Sequence, residues 1–499
     1  MSSVSSITRR RLLGMGACLA SGLGALAIVA CGQSPSTAQQ GSTATTGTAN
    51  PTAATGGSAK PAQSASPVAA AATIVFWPRS PSEGDVVWKK ILPIASKMYP
   101  GLTVKLEAPP SNFLEKLNVA YAGGTAPDSG VAGLSAFRAL IGQKVFQSIQ
   151  SYVDADAATK QSLQQNFVPA AIQGYSYKGK LYGAPTVNEA IVVWYNKDAI
   201  VAAGLTPPRE IDSDPSKWNW NTLVDYAKAV NKGTGPRRER YGIIATSART
   251  ITGISEAWGN FVYAHNGRVM DPDGEKWSFN GTDVHDAIQF VVDLTHKYDV
   301  QPDVGVSASA GLLDRAYFQN GQVGMVIQGE YFSRYLWGSG KPSKPIPFQY
   351  DIAVMPTCPA TGKHTNIYHG NACFMCSQTK QADATWEWLK VTLSLDAQQV
   401  ISQTWGSRAA DLRTYDQWLK TNANGGPAGV NYQAVVNADK DTYPFPTTPY
   451  LGVDTLLNPT MTIMYDDVFQ SKWPVQQGLD EDAKETTALL DKAKQEAGG

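Results

Sequence analysis

One stretch constrains the fold more than any other. Glu189-Ala190-Ile191-Val192-Val193-Trp194-Tyr195 places a single carboxylate at the head of a run with almost no polar alternation. A strand apolar on both faces needs a covering layer on each side, which suits the middle of an open sheet flanked by helices. A carboxylate buried at its head is costly unless something satisfies it. Upstream, Lys178-Gly179-Lys180 reads as a tight turn in which glycine accepts positive φ, and Pro185 interrupts any ladder. Downstream, Asn196-Lys197-Asp198 ends the strand and opens a helix.

The chain has 499 residues, too many for one ordinary core, so two lobes are expected. From residue 73 the pattern alternates. Strands are expected at 73–77, 102–108 and 129–134, with helices at 85–99, kinked at Pro93, and at 112–122. That β-α-β-α-β order predicts a parallel sheet. Ligands of open α/β sheets sit beyond the carboxyl ends of the strands. This selects Trp77, Arg79 and Ser80 after the first strand and Ser135 after the third. Further on, helices are expected at 220–230, 255–266, 283–300, 310–319, 382–395 and 396–405. Strands are expected at 241–245, 323–327, 350–355 and 367–377, and Glu330 and Tyr331 follow the carboxyl end of the second of these. Asp271-Pro272-Asp273-Gly274 is a turn; its glycine comes too early for a calcium loop, and no glutamate follows at the required place. The basic cluster Arg237–Arg240 reads as a solvated turn.

Five pieces then belong together. They are the run from Tyr99 to Ala108, Gly123-Gly124-Thr125-Ala126-Pro127-Asp128, and Glu189-Ala190 with Tyr195-Asn196-Lys197-Asp198. Ala203-Gly204-Leu205 before Pro207-Pro208, and the run from Phe318 to Met325 with Gly329 and Tyr331, complete the set. In this order they resemble the extracellular solute-binding proteins of family 1, the family that includes the maltose-binding protein. The resemblance covers roughly residues 73–492. It departs at Gly406-Ser407-Arg408-Ala409-Ala410, where the family more often has glycine-x-x-proline.

The resemblance implies an α/β, two-lobed periplasmic-binding-protein fold of type II-like form. Each lobe would be a mostly parallel sheet flanked by helices, with a hinge of three crossing segments near Glu189, near Ile352 and at 410–431. Lobe 1 would comprise 73–188 and 353–410, lobe 2 would comprise 189–352, and 411–499 would be a helical segment packing mainly on lobe 2. The implied function is capture of a mono- or oligosaccharide by hinge closure and its delivery to the permease subunits of an ABC importer. Glu189 would accept hydroxyl hydrogen bonds and Tyr331 would stack on a sugar ring. Trp258, Glu330, Gly370, Asn371, Arg408 and Tyr450 complete the expected contact set. A peptide, polyamine or sugar phosphate remains an alternative solute. A secreted glycosidase, with Glu189 and Glu330 as its carboxylate pair, is the enzyme alternative.

The N-terminus fits export. Thr8-Arg9-Arg10-Arg11-Leu12-Leu13 resembles a twin-arginine signal within residues 1–30, and Ile28-Val29-Ala30-Cys31 resembles a lipobox with Cys31 as the lipidated residue. The glycines of this segment and its terminal cysteine favour a lipoprotein signal over a transmembrane anchor. Residues 31–72, poor in hydrophobic period, would be a disordered tether. The chain is thus expected as a monomer anchored by lipid to the outer face of the cell membrane, or in the periplasm. A formal net charge of zero argues against a nucleic-acid partner. No H-E-x-x-H or G-x-S-x-G occurs, and Gly340-Lys341 is followed by Pro342 rather than a Walker hydroxyl, so no enzyme and no cofactor are expected. Cys373-x-x-Cys376 lies in an expected strand, where residues three apart face opposite ways, and no second pair exists to complete a zinc site. A Cys358–Cys373 disulfide would be compatible with export.

Overall fold

The computed structural model describes residues 71–498 apart from 110–111, 247–251, 306–313, 337–344, 406 and 426–428. The export signal, Cys31 and nearly all of the tether lie outside the described residues.

Strands β1 (Ala72–Trp77), β2 (Leu102–Leu106) and β3 (Ser129–Gly133) lead the chain. A short hairpin follows, β4 (Ser176–Tyr177) and β5 (Lys180–Leu181), turning at Lys178 and Gly179, both at positive φ. Next come β6 (Gly183–Glu189), β7 (Ile191–Asn196), β8 (Tyr241–Ile244) and β9 (Val323–Gly329). The last are β10 (Tyr350–Ala353), β11 (Asn366–Met375), β12 (Arg408–Ala409) and β13 (Thr442–Pro444). They form a seven-stranded sheet in the order β12-β6-β11-β3-β1-β2, with β13 on β11, and a four-stranded sheet in the order β10-β7-β9-β8.

The apolar run at residue 189 is therefore two strands, one in each sheet. Glu189 ends β6 in the first sheet and Ile191 opens β7 in the second. Side chains and a returning strand satisfy the backbone at the break. Ile191 N donates to Asn366 Oδ1 at 2.8 Å, and Ala190 N to Glu330 Oε2 at 3.3 Å. The Ala190 carbonyl accepts from Glu330 N at 2.8 Å.

Both sheets are mixed rather than mostly parallel. β1 pairs parallel with β2 and β3, as the β-α-β order requires, and β8 pairs parallel with β9. Strands that arrive from the other sheet run the opposite way: β11 is antiparallel to β3 and β6, and β7 is antiparallel to β9 and β10. The strand at Tyr350, expected to return to the first lobe, stays in the second sheet against β7. The chain passes back only between Ala353 and Asn366.

Helices cover the sheets by burying one stripe each. Helix Trp220–Val230 buries Trp220, Leu223, Val224, Ala227 and Val230, the spacing of one helical face. Asn219 caps it, its Oδ1 accepting from Asn221 N and Thr222 N at 3.0 and 3.2 Å. The expected helix at 255–266 is two short helices, Thr252–Glu256 and Gly259–Ala264. Cys358, Cys373 and Cys376 are all free and buried. Among the described residues no helix is long and apolar enough to cross a membrane, and no cluster of metal-ligating side chains occurs.

Candidate functional site

A cavity of about 290 Å³ draws its lining from the first sheet and from two segments on the side of the second, the helix ending at Glu256 and the turn that follows β9. Its size lies near the lower end of the ~300–1,000 Å³ usual for ligand sites. The first sheet contributes Arg79 beyond β1, Gly133 at the end of β3, and His369, Gly370 and Asn371 of β11. Leu134 and Ser135 line it from the first turn of helix Leu134–Gly142, which grows directly out of β3. Glu189 enters from the crossing, while Glu256 and Tyr331 enter from the side of the second sheet. The carboxyl ends of β1, β3 and β9 thus meet at one place, as the rule for open α/β sheets requires.

Most polar side chains of the site are held by protein partners. Arg79 donates from Nε to Glu83 Oε2 at 3.1 Å and from Nη1 to Asn371 Oδ1 at 2.9 Å. Glu83 is itself fixed by Trp88 Nε1 at 2.9 Å. Ser407 Oγ donates to Glu189 Oε1 at 2.7 Å, and His369, its register partner across the β6–β11 ladder, places Nδ1 3.9 Å from Oε2. Tyr331 donates to Gln328 Oε1 at 3.0 Å. Burial first, and then the Glu256 carboxylate, push the Tyr331 hydroxyl well above its ordinary range. The ring of Tyr331 lies over Gly329: a Cβ there would stand 2.1 Å from Tyr331 Cε1. Gly370 serves packing in the same way, since a Cβ would meet Tyr368 Oη at 2.2 Å and the Val187 carbonyl at 2.3 Å, atoms joined by a 2.9 Å hydrogen bond. The site therefore offers guanidinium, hydroxyl, amide and imidazole groups, two carboxylates and one phenol ring within a single polar recess. That set suits a small ligand rich in hydroxyls: carboxylates accept from hydroxyls, and the ring packs on C–H groups.

Residues 80–399, more than half of the chain, match the bacterial extracellular solute-binding protein family. The chain belongs to that family. The maltooligosaccharide ABC transporter solute-binding lipoprotein of Streptococcus pneumoniae strain R6 is 22% identical over 370 residues, covering 72% of this chain and 75% of that protein. The mannitol-binding protein of Pseudomonas aeruginosa is 28% identical over 162 residues, 32% of this chain and 33% of that one. In three dimensions, the sugar-binding protein MalE of Xanthomonas citri superposes with a TM-score of 0.69 at 18% identity, covering 85% of this chain and 98% of that one. A Listeria monocytogenes ABC substrate-binding protein in complex with cycloalternan gives 0.65 at 17% identity, covering 84% and 99%. These neighbours share the two-lobed α/β fold.

Within this solute-binding protein, the cavity brings together Arg79, Ser135, Glu189, Tyr331, Gly370 and Asn371 of the expected contact set. The other six lie elsewhere. Glu330 and Arg408 are interior groups, 2% and 0% exposed, bound to each other rather than facing a ligand. Glu330 Oε1 accepts from Arg408 N at 2.7 Å and Oε2 from Arg408 Nε at 2.8 Å. Arg408 Nη1 and Nη2 reach Asp439 at 2.5 and 3.1 Å, with Tyr415 beneath the guanidinium. Burial pushes the Glu330 carboxyl up to about 7 against the pull of Arg408. This knot joins the end of β9, β12 and the C-terminal segment beside the Ala190 break. Trp258 is fully enclosed between Phe279 and Phe469. Ser80 caps helix Pro81–Glu83, Trp77 packs edge-on to Phe113, and Tyr450 donates to Glu275 Oε2 at 2.7 Å. Sequence reasoning missed Glu256 and His369. Glu256 sits two residues before the chosen Trp258, where the break between two short helices turns it the other way. His369 is found only through the pairing of β11 with β6.

Proposed function

We propose that this chain captures a carbohydrate between its two lobes by hinge closure and hands it to the permease of an ABC importer. The observation that carries this reading is the cavity lined by the first sheet and by the turn that leaves β9 of the second, with Glu189 at the crossing and Tyr331 on the far side. A solute touching both would favour the arrangement in which they approach, which is how binding energy shifts such an equilibrium. The named substrates of several relatives, maltooligosaccharide and mannitol among them, support a sugar or sugar alcohol as the solute class.

The same reading takes 73–188 with 353–410 as one lobe, 189–352 as the other, and 411–499 as a segment packing mainly on the second. It also takes the chain as an exported monomer held to the membrane by lipid on Cys31. A thermal-shift screen over mono- and oligosaccharides, with a peptide, a polyamine and a sugar phosphate as rivals, tests the solute. Stabilisation by a sugar and none by the rivals supports the reading; stabilisation by a rival alone overturns the sugar assignment. Small-angle scattering with the selected sugar should show a smaller radius of gyration than without it. Assayed beside the binding isotherm, the sugar should be recovered unhydrolysed. For the anchor, Cys31→Ser should release the processed protein from membranes, and a processed variant that stays membrane-bound would refute lipidation.

A further inference from the structure

A second cavity, of about 190 Å³, shares no lining residue with the first. Its wall is mostly apolar and aromatic, with Tyr263, Met270, Tyr443 and Phe445, yet it also carries two arginines, Arg138 and Arg268. Arg138 is 7% exposed, and among the described residues no carboxylate lies within ion-pair distance of it. Its Nη1 donates to the carbonyls of Pro272 and Thr447 at 2.6 and 3.3 Å, and its Nη2 to that of Ser176 at 3.4 Å. Its Nε, also buried, has no protein partner among the described residues. Its guanidinium carbon stands 5.7 Å from the Tyr177 ring centroid, and the charges of Asp273, Asp271 and Glu275 act on it only from beyond ion-pair distance. A buried guanidinium with no anion in direct contact is unusual, because buried cations are ordinarily paired.

Arg268 is held in a different way. Its guanidinium carbon stands 4.4 Å from the ring centroid of Tyr443 and 5.1 Å from that of Tyr263. One nitrogen, Nη1, is committed to the Gly267 carbonyl at 2.6 Å. Cation–π contact with two rings orients the guanidinium without consuming its remaining donors. Asp271 also lines the cavity, but its Oδ1 is occupied by the backbone N–H groups of Glu275 and Lys276 at 2.7 and 2.5 Å, and Asp273 is exposed.

We propose that this cavity is a second binding site, for a small carboxylate with an apolar body, its charged head taken by Arg138 and Arg268 and its body lying against Tyr263, Tyr443, Phe445 and Met270. The planar donor fork of arginine matches a carboxylate. The aromatic wall matches an aryl or short alkyl group, and the volume suits a single ring better than a sugar chain. The inference is independent of the solute assigned to the first cavity.

Benzoate is the probe and benzamide its neutral isostere, titrated calorimetrically into the whole folded protein. Benzoate should bind at least tenfold more tightly than benzamide. Arg268→Gln should weaken benzoate at least tenfold, while Glu189→Gln, in the first cavity, leaves it unchanged. Arg138→Gln should act in the same direction; because Arg138 also ties three carbonyls, Arg268→Gln carries the decision if that variant does not fold. Absence of benzoate binding at millimolar concentration, equal binding of benzamide, or wild-type affinity in Arg268→Gln would each overturn the proposal. Loss of benzoate binding in Glu189→Gln would also overturn it, by placing the ligand in the first cavity.

Discussion

Glu330 and Tyr331 are neighbours in sequence at the end of one strand, yet they belong to different regions of the molecule. Tyr331 lines the cavity with Arg79, Ser135 and Glu189, whereas Glu330 is locked to Arg408 in the interior. Glu189 and Glu330 make a second such contrast. Each is a nearly enclosed carboxylate beside the break at Ala190, at 6% and 2% exposure. Glu189 is met by a serine hydroxyl and, at longer range, a histidine, and it still faces open space. Glu330 is met by the main-chain N–H and guanidinium of one arginine and by the Ala190 N–H. A carboxylate at a strand end is therefore a candidate ligand contact only where it lines a cavity, as Glu189 does and Glu330 does not.

The largest expected effect falls on the interior knot. Arg408→Met leaves the buried Glu330 and the half-buried Asp439 without their cation, which costs about 3–5 kcal/mol. Urea unfolding of the apo protein measures this; unchanged apo stability with lost ligand affinity would return Arg408 to the contact set. On the cavity side the pattern should reverse. Glu189→Gln and Tyr331→Ala should each weaken the selected solute about tenfold or more, about 1.4 kcal/mol, with a small change in apo melting. Normal affinity in a destabilised apo protein would make both residues structural. Gly329→Ala should give a smaller, several-fold loss of affinity, because the new methyl must displace the Tyr331 ring; an unchanged isotherm would show that the ring position does not matter.

The smallest effect concerns pH and a carboxyl remote from both regions. Asp482 is enclosed, accepting from Trp277 Nε1 at 2.8 Å and Thr460 Oγ1 at 2.7 Å, and burial raises its pKa to about 6. In the folded protein it holds its proton at pH values where the unfolded chain, with the ordinary value of 3.8, has lost it. Its contribution to stability is thus fully present below pH ~4 and is lost as pH rises through ~6. Apo melting temperature should fall over that window, less so in Asp482→Asn. Glu330, with its pKa also raised, adds a fall of the same sign, extending to pH ~7. Equal slopes for wild type and Asp482→Asn would exclude Asp482 as a source.

Much of the fold was legible because the signals are local. The helix at Trp220–Val230 and the strands at Val323 and Asn366 follow from periodicity, cap residues and apolar runs. The break at Ala190 was not legible, since Glu189 read as the head of the apolar strand, and only the partners β11 and β9 show that it ends one strand and that Ile191 opens another. The same holds for the site. Arg79 and Ser135 follow from strand ends, a rule of position. Trp258, Glu330 and Arg408 were expected from the resemblance, and a resemblance does not say whether a neighbour already occupies the group. That Arg408 reaches Asp439, or that His369 lies opposite Glu189, depends on long-range pairing that no spacing in the chain records.

Ala190 has a mechanical consequence. It alone separates β6 from β7, and one extended residue spans only ~3.3–3.6 Å. At this point the chain holds the two sheets together and does not let them slide apart. Under the proposed closure Ala190 is an axle, and displacement grows with distance from it. Glu189 sits at the axle and hardly travels, while atoms far out along each sheet sweep the longest arcs. A hydroxyl bound to Glu189 would keep its contact through the whole swing, so the first bond made in the open state need not be broken for the last to form.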